Sequence, residues 1–233
     1  MKDRIVNRSQ RRQEHPTPSH AFRVGANKAL NVLTELKELE ASIQLLDYVL
    51  KANVVYFVTL FEVYFRDMLD LIFKVCKPEI FISKIDKIHE RKYKFSEILS
   101  LSSSATNPLD LLASSLNFQK WSFIEETFSL LLGVKSFKEE AKKTIWTVSK
   151  EVPAENAQEI QLHDDDFLRL ERLLSMRHNF VHDPNPIVKI DEHEVMYELL
   201  GAATSVVVSC DICINEFISK NVKSEFLKNK IRL

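Results

Sequence analysis

VVYFVTLFEVYFRDMLDLIFKVC, residues 54–76, is apolar on nearly every turn, and Pro78 stands just beyond it. Read as a helix, it has large hydrophobic side chains all the way round, and such a helix belongs in the middle of a bundle. Working outward, Leu30, Leu33, Leu36, Leu39, Ile43, Leu46 and Leu50 recur at threes and fours. That stripe predicts an amphipathic helix over about residues 22–50, with Glu35, Glu38 and Glu40 on its wet face. On the other side, residues 78–90 and 93–101 predict two shorter helices. SLSSSATNP, residues 100–108, is the clearest loop signal in the chain, and Asn107 or Pro108 restarts helix.

The stretches 109–117, 121–132 and 134–147 read as a helical middle section, and KEVPAENAQEIQLH, residues 150–163, as a polar break. This middle part, roughly 95–160, is expected to be a helical insertion between two longer pairs of helices. His163, Asp164, Asp165 and Asp166 offer N-cap candidates and negative charge at a helix start, where both favour the free amides and the macrodipole. The helix they open is predicted to run from Phe167 to about His182, because Pro184 disfavours helical geometry at Asp183. A last long helix is predicted over about 191–221, on Val195, Leu199, Ala202, Val206, Ile212 and Phe217, with Asp191 to Glu194 as its capped start.

Composition agrees with an all-α fold. Three glycines and seven prolines are too few for the turns of a sandwich or barrel, or for glycine-rich phosphate loops. Lys plus Arg number 32 against 33 Asp plus Glu, a formal charge of −1, so no overall positive field draws in polyanions and any handling of nucleic acid falls to a local site. Three cysteines make no disulfide framework and suggest a reducing compartment. Cys210 and Cys213 have CxxC spacing without a second pair or a redox-type context, and read as small core residues. The basic start has no apolar run after it, and the longest apolar stretches, 54–61 and 201–210, fall short of the roughly 20 residues of a bilayer span. A cytoplasmic protein with no membrane association is expected, made of a flexible basic arm over 1–20 and one helical domain over 21–233. The arm, with Lys2, Arg4, Arg8, Arg11 and Arg12, is either a contact for RNA phosphates or a solvated tail.

The one dense polar constellation is Arg177-His178-Asn179-Phe180-Val181-His182. Four positions apart, His178 and His182 share a helical face, whereas Arg177 and His182 stand about 140° apart around an ideal axis. A histidine moves protons near neutrality, and an arginine presents a fork of donors to phosphate oxygens. In RNA the nucleophile is already present as the ribose 2′-hydroxyl, so no metal is obligatory. The reaction needs a base, an acid for the leaving 5′ oxygen, and positive donors for the growing charge. One Arg and His set supplies half of that, which favours a homodimer with a composite site. The plainer reading is a helix C-terminus whose cations favour the macrodipole.

An R-x4-H sequence ending one helix of an all-helical bundle, with a polar residue after the arginine, resembles the HEPN superfamily. The apolar helix with Glu62 behind an aromatic resembles its ribonuclease-type branch, including the RiboL-PSP-HEPN and MAE-like groups. The resemblance implies a HEPN-type bundle, a metal-independent endoribonuclease acting as a homodimer on RNA, and a toxin or abortive-infection role with an antitoxin or other neutralising protein as a candidate partner. Arg177 and His182 would take the catalytic roles and His178 the polar place after the arginine. Asn179 is a supporting neighbour, and Glu62 an orienting acid by looser analogy, although Arg66 four residues on explains it equally as an ion pair. No cofactor or metal site is implied. In members modified by a nucleotidyltransferase a tyrosine stands two positions after the histidine; Pro184 stands there, so the resemblance does not carry that control to this chain. The alternative function is a catalytically inactive HEPN-like scaffold that binds RNA, a nucleotide or a protein.

Overall fold

A computed structural model describes residues 17–38, 42–84, 116–148, 158–182 and 192–223. The expected arm over 1–16, the helix and loop over 85–115, the break over 149–157, and Pro184 and Pro186 lie outside the described residues.

Helix α1 spans Pro18–Glu38 and α2 spans Ile43–Val75. The first begins inside the expected arm because Thr17 caps it: the Thr17 Oγ1 accepts from the His20 N–H at 3.1 Å, and Pro18 takes the first helical position, where a missing N–H costs nothing. The single helix expected over 22–50 is instead two, the first ending at Glu38 and the second beginning at Ile43. Ser42 is extended and its hydroxyl accepts from the Leu45 N–H, so the turn carrying Leu46 and Leu50 belongs to α2. Asn53, buried on α2, donates to the Ala29 carbonyl at 2.9 Å and ties the two helices together.

A 3₁₀ turn over Pro78–Ile80 ends this pair, and after the segment outside the described residues comes α3, Trp121–Leu132. Gly133, with φ of 73°, closes α3 in the left-handed region that a Cβ resists, and Ser136 caps the next helix, α4, Phe137–Lys142. The helix expected over 134–147 is therefore only six residues long. Beyond α4 the chain forms an antiparallel hairpin of β1, Ile145–Val148, and β2, Gln158–Gln161, in the register Trp146 opposite Ile160. The β-branched residues of IWTV fit a pleat, and alternation turns Trp146 inward, where its indole donates to the buried Ser209 hydroxyl at 3.1 Å. The insertion is thus mixed rather than wholly helical.

Helix α5, Asp164–His182, begins at the acids themselves rather than at Phe167: the His163 N–H donates to Asp166 Oδ2 at 2.8 Å, and Asp164 pairs with Lys138 and Lys142 of α4. Helix α6, Glu192–Asn221, packs along α5, α1 and α2, and its end is stapled to the end of α2 by hydrogen bonds from Lys77 to Asn221 and from Lys223 to Val75. Across the described residues the fold is all-α with one small hairpin.

Helix α2 is the axis of the core. Phe57, Phe61, Tyr64, Phe65, Met68, Leu69 and Ile72 are each at most 1% exposed. Phe65 is the hub, with ring centroids 4.9 Å from Phe61, 5.0 Å from Tyr64, 5.5 Å from Phe128 and 6.4 Å from Phe118. Among the described residues two helices, over Gln44–Val75 and Val195–Asn221, are long and apolar enough to cross a membrane by length and composition, and half of each qualifying window is buried inside the fold. Both pass that length because helix continues through the isolated polar residues that interrupt the short apolar stretches of the sequence. Tyr64 points its hydroxyl to Asp211 of α6 at 2.9 Å, and burial, reinforced by that carboxylate, holds its phenol well above the ordinary value. Ser19 of α1 donates to the same carboxylate, so three helices meet there. Replacing Phe65 with Ala removes the ring on which α2, α3 and the strand of chain before α3 converge. A loss of about 3–5 kcal/mol in unfolding free energy is expected, read as a lowered urea midpoint with an unchanged slope.

Candidate functional site

The C-terminal part of α5, from Glu171 to His182, opens onto a cleft of about 630 Å³. From α5 it is lined by Glu171, Leu174, Ser175, Arg177, His178, Asn179 and His182, and from the chain entering α3 by Asn117, Gln119, Lys120, Trp121 and Ser122. The α5 side follows from helical spacing: Glu171, Ser175, His178 and His182 repeat at fours and threes and share one face. Arg177 lies off that face by sequence, yet it lines the same cleft, where it meets Gln119 of the second wall.

That second wall is held by the core. Phe118 is fully buried against Phe65 and Phe128, and Arg66 donates its Nε to the Leu116 carbonyl at 3.1 Å. Gln119, its N–H bound to Asn117 Oδ1 at 3.1 Å, is left facing α5. There Arg177 Nη1 donates to Gln119 Oε1 at 3.0 Å, and Gln119 Nε2 donates to Glu62 Oε2 at 3.1 Å. Glu62 also pairs with Arg66 four residues on. Both sequence readings of Glu62 therefore meet: it is the partner of Arg66, and through Gln119 it stands behind Arg177 without lining the cleft.

The imidazoles of His178 and His182 lie with centroids 4.5 Å apart and planes inclined by 51°. Rings in contact leave no room for a phosphate between them, so these two histidines of one chain do not stand as a base and an acid on opposite sides of a phosphodiester. They present their imidazoles together to a cleft that Arg177 also lines. Among the described residues Arg177 makes no ion pair, its one hydrogen bond going to the Gln119 amide. A half-buried guanidinium in no ion pair among the described residues, in an open cleft lined also by Lys120 and Glu171, is suited to an anion.

The structure thus brings together Arg177, His178, Asn179 and His182 at the cleft and sets Glu62 behind it. Gln119, Asn117 and Lys120 were not legible as site residues. Gln119 lies 58 positions from Arg177 and belongs to no short motif, so only packing reveals it. The other sequence candidates go elsewhere. Asp164 binds two lysines at a helix start, and His163 caps that start. Cys210 is fully buried and Cys213 partly so, both as free thiols.

An all-α bundle that sets an R-x4-H sequence at a helix end, over a cleft, defines the HEPN class. The chain matches the RiboL-PSP-HEPN family over residues 26–219 and belongs to that family. Membership points to a nuclease-type or RNA-related role. No curated protein and no solved structure matches the chain.

The cysteine geometry carries its own test. Burial, with Glu140 and Glu216 nearby, pushes the Cys213 thiol up to about 11, and burial pushes Cys210 well above its usual range. The thiol form is held below that value and the reactive thiolate gains only as pH rises toward it. Alkylation of Cys213, followed by peptide mass spectrometry, is expected to accelerate about tenfold per pH unit from 8 to 10. A plateau by pH 9 would contradict the burial argument.

Proposed function

We propose that this protein is a metal-independent endoribonuclease that cleaves RNA by attack of the 2′-hydroxyl on the adjacent phosphodiester. The observation that carries this reading is the Arg177 guanidinium, without an ion pair among the described residues, sharing one cleft with the touching imidazoles of His178 and His182. In the proposed reaction Arg177 binds the nonbridging oxygens and stabilises the charge that builds on phosphorus. His182 transfers protons, with His178 packed against it, and Asn179 supports at the cleft edge. The 2′ oxygen forms the new bond to phosphorus as the bond to the 5′ oxygen breaks. A base takes the 2′ proton and an acid protonates the leaving oxygen, giving a 2′,3′-cyclic phosphate and a 5′-hydroxyl.

Because the two histidines of one chain lie on the same side of any phosphate, the opposite proton-transfer group is assigned to a second copy. The working unit is a homodimer whose clefts face one another across a two-fold axis. In this reading the protein is cytoplasmic and serves as a toxin or phage-defence effector, held in check by an antitoxin or other neutralising protein. The family assignment supports the RNA-related part of the reading, and the cleft chemistry supports the reaction.

The deciding measurement is cleavage of an end-labelled RNA in excess chelator by wild type, His182→Ala and Arg177→Ala, prepared identically. Wild type is expected to cut, with a cyclic phosphate on the upstream product, and each variant to lose about 100-fold or more in rate. Equal cutting by all three proteins would assign the activity to a contaminant or to another site. An intact substrate with wild type, under conditions where the protein binds RNA and is dimeric, would leave the binding-scaffold function in its place.

A further inference from the structure

A chain of polar groups runs from the core to the cleft, alternating in charge until it reaches an amide. Arg66 is positive, Glu62 beside it is negative, Gln119 is neutral, and Arg177 is positive. We infer that Gln119 is a positioning residue whose neutrality keeps the charge of Arg177 available to a phosphate. The inference rests on the reading that the anion in this cleft is an RNA phosphate.

An amide is the side chain that can do this at position 119. Its nitrogen donates to Glu62 at 3.1 Å and its oxygen accepts from Arg177 at 3.0 Å. Turning it over would set the NH₂ against a guanidinium and the oxygen against a carboxylate, so its two neighbours fix its orientation. Arg177 is thereby held by one of its five N–H donors and is in no ion pair with a carboxylate among the described residues. The acid that could have neutralised it, Glu62, is kept one residue away and is matched by Arg66, which is on its own helix. A guanidinium pinned directly by a carboxylate would have most of its fork occupied and its field cancelled at short range.

Gln119 is also mounted rigidly enough to do it. Phe118 before it is fully buried, the Leu116 carbonyl is held by Arg66, and Asn117 takes the Gln119 backbone N–H. Arg66 therefore does two jobs, balancing Glu62 and fixing the segment on which Gln119 rides. The cleft wall and the electrostatics of Arg177 are set by the same side chain.

The test moves the charge by one link and changes nothing else in the chain of hydrogen bonds. In the double variant Glu62→Gln/Gln119→Glu the total charge is unchanged. Arg66 donates to the new amide oxygen at 62, the new amide nitrogen at 62 donates to the carboxylate at 119, and Arg177 donates to that carboxylate. The probe is a single-stranded oligonucleotide methylated at every ribose 2′-oxygen, which binds but offers no nucleophile, titrated at several salt concentrations. Arg177→Ala sets the reference for loss of one phosphate contact, a fall of about 0.7 in the slope of log affinity against log salt. The double variant is expected to lose about tenfold in affinity and to show the same fall in slope as Arg177→Ala, at an unchanged melting temperature. Gln119→Met, of similar length and neutral, is expected to keep the wild-type slope. If the double variant unfolds, Gln119→Glu alone, with the Glu62–Arg66 pair intact, serves the same comparison.

Wild-type affinity and slope in the charge-moved variant, alongside their loss in Arg177→Ala, would overturn the inference. So would a wild-type slope that Arg177→Ala leaves unchanged, or no binding of the strand by wild type. A wild type that binds the methylated strand through Arg177 but leaves cleavable RNA intact would defeat the catalytic reading alone. The role of Gln119 would then be decided by binding, and the two failures are distinguishable.

Discussion

A helix of 33 residues that is apolar on nearly every face has to be wrapped, and the burial of α2 is the constraint that the other elements answer. Helix α1 covers one side, held by Asn53; α5 and α6 cover others; and the aromatic cluster around Phe65 draws in α3 and the chain before it. The end of α2 is stapled to the end of α6, so the wrapping is closed at that end by backbone hydrogen bonds as well as by packing. Each of these contacts buries large apolar surface, which is where most of the stability of such a bundle resides.

Three polar residues on α2 tie it to its neighbours. Asn53 joins α1, and Glu62 with Arg66 faces the segment at 116–119, where an ion pair of a common helical type becomes the foundation of a cleft wall. The buried acid does not reach the cleft itself. It is separated from Arg177 by a neutral amide, so the guanidinium is held in place without an ion pair among the described residues. Core packing and site electrostatics are therefore one problem in this protein, solved by the same turn of helix.

The insertion shows why the middle of the chain was the least legible part. The break after Leu132 was expected, but the helix predicted over 134–147 covers only Phe137–Lys142, and the short IWTV strand takes its identity from pairing with Gln158–Gln161 and from the Trp146 bond to α6. A strand of four residues has no periodic signature that outweighs a neighbouring helix. The missed division at Ser42 has a similar cause: the leucine stripe continues across it, and a single capping hydroxyl is a weak mark in a sequence, though it moves the boundary by a full turn or more.

By itself the sequence determined what short-range physics dictates: an all-α bundle around residues 54–76, the acidic start of α5, and the grouping of Arg177, His178, Asn179 and His182 near a helix end. Those features depend on residue spacing along one helix, and spacing is written in the chain. The tertiary structure alone decided that Asn117, Gln119 and Lys120 form a second wall facing Arg177 and the two imidazoles, and that Gln119 carries the link from Glu62 to Arg177. These are contacts between segments far apart in sequence, and they exist because the burial of Phe65 and Phe118 brings the second wall to α5.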